Sequence, residues 1–167
     1  RALTAQNLPN DEASCAAALA DFLRLYSADS AKLTTMFDGA IDALDQLRDG
    51  GFRLGICTNK PLAPTQIVLD QFGLTRFFDT VVGGDQLASR KPDPAMLFHA
   101  MASLDVTSCL FVGDSEIDRE TATAAGQPFA LFTKGYRTSS IETLNPEFYF
   151  NEYSELLDII YLRHKNE

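Results

Sequence analysis

Ser108-Cys109-Leu110-Phe111-Val112-Gly113-Asp114-Ser115-Glu116-Ile117-Asp118 decides the architecture of the chain. An apolar run from Cys109 to Val112 stops at Gly-Asp-Ser, and a helical pattern begins at once. Buried parallel strands pass into helices in this way in α/β proteins. Gly113 permits the sharp turn, and either Asp114 or Ser115 can cap the new helix. In an open parallel sheet, ligands collect beyond the carboxyl ends of the strands, where Asp114 falls. Asp118 lies four residues on, so a helix puts both carboxylates on one face. Such a pair either holds a hard cation with oxygen ligands, Mg²⁺ above all, or comprises an N-cap acid and an exposed helix acid.

Outward from this stretch, strands and helices alternate. On the N-terminal side the pattern predicts helix 40–48, strand 53–57, helix 63–72 and strand 79–82. Gly50-Gly51 and Gly73 supply helix stops. Ser89-Arg90-Lys91-Pro92-Asp93-Pro94 reads as a loop, because its prolines forbid a helix interior, and Pro94 suits the first turn of a helix reaching Met101. On the C-terminal side come a helix closing at Gly126, strands 128–132 and 148–150, and a helix over 152–163. The alternation predicts an α/β fold, a parallel sheet with helices on both faces. Residues 1–35 carry no strand pattern, and a helix is expected over Glu12–Tyr26.

A chain of 167 residues with 46% hydrophobic content can bury a real core. Its net charge of −9, without a Lys/Arg-rich cluster, argues against a nucleic-acid partner. No apolar run is long enough to span a bilayer, so no membrane partner is expected. Cys15, Cys57 and Cys109 lack metal-ligand spacing and read as free thiols in a reducing, cytoplasmic setting.

Three strand ends or following loops carry complementary groups. Thr58-Asn59 offers a hydroxyl, an amide and backbone N–H groups, which suit an anion or a helix cap. Lys91, on its proline-bounded loop, is either a point charge for a phosphate or a solvated lysine. Asp114 and Asp118 complete a set suited to a phosphate and its Mg²⁺.

In this order and spacing, Cys57-Thr58-Asn59-Lys60-Pro61, Lys91-Pro92-Asp93-Pro94 and Gly113-Asp114-Ser115 through Asp118 resemble the haloacid dehalogenase superfamily. Gly113 to Gly126, Pro128-Phe129 and Gly135-Tyr136-Arg137 resemble its phosphoglycolate phosphatases most closely, as does Phe37 with Gly39. The resemblance implies a Rossmann-like core over 36–167 and the remnant of a helical cap over 1–35. It implies a Mg²⁺-dependent phosphomonoesterase that acts on a small phosphorylated metabolite through an aspartyl-phosphate. Thr58 and Asn59 would bind the phosphoryl group and Lys91 would stabilise its charge. Asp114 would ligate Mg²⁺, with Asp118 and Ser115 supporting the metal shell or orienting Lys91.

One departure matters. The family's nucleophile stands in an Asp-x-Asp-Gly-Thr segment closing the first core strand, and this chain has none. Phe37-Asp38-Gly39-Ala40 comes nearest, but Met36 occupies the place of the first acid and no apolar strand precedes it. The expectation is therefore a core without its central first strand, N-terminally shortened and inactive by itself. The alternatives are a non-catalytic phosphate- or partner-binding module, or a phosphomutase of the same fold. A dehalogenase is disfavoured, because it would leave the metal acids without a purpose.

Overall fold

The computed structural model describes residues 34–164. The expected Glu12–Tyr26 helix, Cys15 and nearly all of the 1–35 segment lie outside the described residues. Helix α1 (Ala40–Asp49) leads into β1 (Gly55–Cys57), α2 (Leu62–Gln71), a 3₁₀ turn (Thr75–Phe77) and β2 (Thr80–Val82). Helix α3 (Ala95–Ser103), β3 (Phe111–Gly113), α4 (Glu116–Ala124) and β4 (Phe129–Phe132) follow. The short α5 (Ile141–Leu144), β5 (Phe148–Phe150) and α6 (Tyr153–His164) close the order.

Every strand pairing is parallel. Gly55 lies opposite Thr80 in the β1–β2 pair, and Phe111, Phe129 and Ala130, Phe148 set the register of β3–β4–β5. The pairs form two sheets, β1–β2 and β3–β4–β5, and no ladder joins β1 to β3 among the described residues. Cys57 packs against the cluster that includes Leu97, Met101 and Phe111, and also against that of Val82, Met96 and Ala100.

Alternation along β4 shows how helices cover both faces. Phe129 and Leu131 join a cluster with Leu97 and Met101 of α3, Ala122 of α4 and Leu144 of α5. Ala130 and Phe132 point the other way, toward Phe150 and Leu156 of α6. Neighbouring strand residues face opposite sides, so a strand buried at all four positions requires apolar cover on each face. Leu157 of α6 carries the second layer on to Ala43 and Leu47 of α1.

The strands are shorter than the apolar runs that encode them, because side chains take some of the backbone groups. The Leu54 N–H donates to the Asp79 carboxylate at 2.9 Å, and β1 begins at Gly55 rather than at Arg53. The Cys109 N–H donates to Gln127 Oε1 at 2.8 Å. Pro128, opposite, has no N–H to extend the ladder, so β3 begins at Phe111.

Candidate active site

Parallel pairing brings the loops after the strands to one end of each sheet, and hydrogen bonds then link those loops across the seam. Ser115 caps α4 by accepting from the Asp118 N–H at 3.4 Å, which settles the choice between Asp114 and Ser115. Asp118, only 6% exposed, has both oxygens engaged. Oδ1 accepts from Lys91 Nζ at 2.7 Å. Oδ2 accepts from Ser115 Oγ at 2.7 Å and from the Asp114 N–H at 3.1 Å. Burial pushes the Asp118 pKa up, but the charge and hydrogen bond of Lys91, with Ser115 and the Asp114 N–H, hold it below the usual carboxylate range. Lys91 Nζ also stands 5.5 Å from the centre of the Phe111 ring, on the side of the sheet core.

Asp114 sits at the end of β3 against the loop that follows β4. Its Oδ2 accepts from the Tyr136 N–H at 2.9 Å, and its other oxygen has no hydrogen-bond partner among the described residues. Gly135 lies so close that a Cβ there would stand 2.1 Å from Asp114 Oδ2. Glu116, in the first turn of α4, holds the same loop by accepting from the Ser139 N–H at 2.6 Å and the Thr138 N–H at 2.8 Å. Donation from Ser139, its own backbone N–H and Thr138 lowers the Glu116 pKa to about 2. Tyr153 lies close enough for burial, then the Asp114 charge, to raise its phenol.

On the other sheet, Thr58 continues β1, donating its N–H to the Val82 carbonyl at 3.0 Å. Its Oγ1 accepts from the Lys60 N–H at 3.2 Å, forming a local turn. Thr58 is not the cap of α2, which starts after Pro61 and has its Leu62 N–H taken by Asp85 Oδ1 at 2.8 Å. The Asn59 side chain turns to the 89–92 loop, with Nδ2 donating to the Lys91 carbonyl and Oδ1 accepting from the Lys91 N–H, both at 2.9 Å. Lys91, Asp118, Ser115 and Asp114 therefore form one connected group, joined through Asn59 to the Thr58 loop. Asp38 stays apart as an exposed turn residue before α1.

The arrangement places one ammonium and one partly open carboxylate at the ends of facing strands. No cluster of three His, Cys, Asp or Glu side chains gathers among the described residues. A cation here would draw a carboxylate oxygen from Asp114 and its remaining ligands from water and substrate, a pattern that Mg²⁺ accepts and a caged Ca²⁺ does not. Both Asp118 oxygens already accept hydrogen bonds, Oδ1 from Lys91 and Oδ2 from Ser115 and the Asp114 N–H. Reasoning from sequence missed Asp85, Glu116 and the Tyr136 N–H. The stretches quoted for family likeness, Gly113 to Gly126 with Glu116 in it and Gly135-Tyr136, contained two of them but gave neither a role.

Comparison with known proteins identifies the family. The sequence model of Haloacid dehalogenase-like hydrolase matches residues 4–132. A phosphoglycolate phosphatase of Cereibacter sphaeroides is 46% identical over 139 residues, which cover 83% of this chain and 64% of that protein. The phosphoglycolate phosphatase of Rhodospirillum rubrum is 40% identical over 150 residues, covering 89% of this chain and 62% of that one. The chain thus spans somewhat less than two thirds of these relatives. Among solved structures, a predicted phosphoglycolate phosphatase from Haemophilus somnus superposes with a TM-score of 0.82 at 27% identity, covering 90% of this chain and 68% of that one.

Proposed function

The chain belongs to the haloacid dehalogenase-like hydrolases, and from that premise we propose that it forms the phosphate- and metal-binding core of a phosphomonoesterase of the phosphoglycolate phosphatase type. The observation that carries the reading is the Lys91–Asp118 pair, 2.7 Å apart with side chains only 11% and 9% exposed, beside Asp114. A cation fixed there by a buried carboxylate is prepositioned for a phosphoryl group and needs no rearrangement to meet it. Lys91 would neutralise phosphoryl oxygens, and the Thr58 hydroxyl and the Asn59 backbone would flank the same group. Asp114 would hold Mg²⁺, which supplies charge neutralisation on the phosphoryl oxygens when bound. Ser115 and Asp118 keep Lys91 and Asp114 in place.

Substrate class follows the relatives, which are phosphoglycolate phosphatases by name. A small acidic phosphomonoester suits a site whose loops already supply a cation and N–H donors. The reading assigns the nucleophile to no residue of this chain. Asp118 is paired with Lys91 and held by Ser115 and the Asp114 N–H, and Asp114 is assigned to the metal. The chain would then hold a phosphomonoester without turning it over. A cytoplasmic location fits the unpaired Cys57 and Cys109 thiols, and no helix among the described residues is long and apolar enough to cross a membrane.

The test is calorimetric titration of orthophosphate and 2-phosphoglycolate into the chain with and without Mg²⁺. Binding should require Mg²⁺ and should weaken at least about tenfold in Lys91→Ala and in Asp114→Asn, the worth of one charge-assisted hydrogen bond. Equal binding by wild type and Lys91→Ala would overturn the site. Release of phosphate from 2-phosphoglycolate would overturn the assignment of no nucleophile.

A further inference from the structure

Lys91 sits on an irregular loop, yet its ammonium meets Asp118 at 2.7 Å. Something must fix the backbone of the lysine, since a carboxylate that grips only Nζ leaves the four-carbon stem free to approach from many directions. The prolines at 92 and 94 stiffen the loop but have no N–H with which to anchor it. Neighbouring loop residues turn elsewhere. Arg90 Nε donates to the Gly84 carbonyl at 2.6 Å, and Asp93 accepts from the Ala95 N–H at 2.9 Å.

The Lys91 N–H and C=O are instead both held by one side chain. The Asn59 amide accepts from the first and donates to the second, each at 2.9 Å. Opposed residues of an antiparallel ladder hold each other by this reciprocal two-bond pattern, which fixes a residue's φ and ψ together and so the direction of its Cβ. A carboxamide is the side-chain group that offers a donor and an acceptor side by side, as a peptide unit does. Asn59 is itself held in place. A Cβ on Gly84 would stand 2.2 Å from the Asn59 carbonyl oxygen, so that strand end and its neighbour are in backbone contact. The Gly84 N–H donates to the Lys60 carbonyl at 2.9 Å, tying the same two loops a second time.

We propose that Asn59 is a positioning residue for Lys91, its side-chain amide serving as a one-residue strand that aims the lysine at the site, and that this amide does not itself bind the phosphoryl group. The proposal rests on the reading of Lys91 as the phosphate-facing cation. It predicts that the Asn59 side chain acts on phosphate only through Lys91.

Two measurements on the full chain test this. The first is native-state hydrogen exchange of the Lys91 amide, followed by NMR. Asn59→Ala should speed that exchange about tenfold or more, the effect of losing a hydrogen bond that closes a loop. Asn59→Asp keeps an acceptor and should retain most of the protection. The second is orthophosphate titration with Mg²⁺ through a double-mutant cycle. Asn59→Ala should weaken binding in the wild type and add nothing in the Lys91→Ala background. Unchanged Lys91 exchange in a folded Asn59→Ala protein would overturn the clasp. An equal loss of affinity in both backgrounds would make the Asn59 amide a direct ligand and overturn the proposal. Unchanged binding in Lys91→Ala would instead remove the reading of Lys91, with the exchange result still deciding the clasp. If Asn59→Ala does not fold, Asn59→Leu, which keeps the side-chain volume and can make neither bond, carries both measurements.

Discussion

Asp118→Ala removes a buried carboxylate that accepts three hydrogen bonds, from Lys91, Ser115 and the Asp114 N–H. It also strands a lysine whose side chain is 11% exposed. Breaking a buried ion pair from one side costs about 3–5 kcal/mol, because the remaining charge stays desolvated. Lys91 retains a path to solvent through its exposed fraction, so the lower end, about 3 kcal/mol, applies. With a urea m-value of about 2 kcal/mol/M, the unfolding midpoint should fall by about 1.5 M. Removing both partners in Lys91→Ala/Asp118→Ala deletes the stranded charge and should restore part of the loss, leaving the double variant more stable than Asp118→Ala alone. Acid should show the same contact. The folded-state pKa of Asp118 is lowered, so its contribution is complete above the ordinary value of 3.8 and fades as pH falls through the lowered one. Asp118→Asn should lack that part of the acid slope. A loss below about 1 kcal/mol in Asp118→Ala, or additive losses in the double variant, would refute the account of a buried, charge-locked lysine.

Gly135→Ala should push Asp114 aside, since its Cβ would lie 2.1 Å from Oδ2. A loss of about 1–3 kcal/mol in denaturation, with Mg²⁺-dependent phosphate binding weakened alongside, is expected. Lowering the pH from 4.5 toward about 2 should release the 138–139 segment, because Glu116, depressed to about 2, loses its charge only there. Faster amide exchange at Ser139 in that window, absent in Glu116→Gln, would show it. The Cys57 thiol, raised to about 11 chiefly by burial and partly relieved by the Lys91 charge, should react slowly with iodoacetamide at pH 8 and quickly once denatured.

Reading along the chain located the elements because each rests on local signals. The apolar run before Gly113, the prolines around Lys91 and the glycines after helices are short-range and survive folding unchanged. Alternation in β4 was equally legible, since Phe129 to Phe132 is apolar throughout and only a strand covered on both faces accommodates that. Strand ends were misjudged where a distant side chain took a ladder group. Asp79 acts on Leu54 across 25 residues and Gln127 on Cys109 across 18, separations that no local pattern reports. In the site, the chemical types of Lys91, Asp114 and Asp118 pointed to phosphate and a hard cation. The direction of Asn59 did not, because its amide is equally able to meet an anion or a peptide unit, and only the fold brings Lys91 within its reach. Asp85 at the start of α2 and Glu116 at the 138–139 loop were invisible for the same reason.

The division into two sheets has a mechanical consequence. Ladders within β1–β2 and within β3–β4–β5 resist shear, whereas the seam between β1 and β3 is crossed, among the described residues, by side chains alone. The bond from Lys91, on the β2 side, to Asp118, on the β3 side, spans that seam, so opening it by even an ångström would part the cation from the carboxylate that aims it. An anion gripped simultaneously by the Thr58 loop and Lys91 on one bank and by an Asp114-bound cation on the other would act as a clamp across the seam. Occupancy would then appear as stiffness far from the ligand, and the apolar layer between α3 and β3 would become quieter when phosphate is bound.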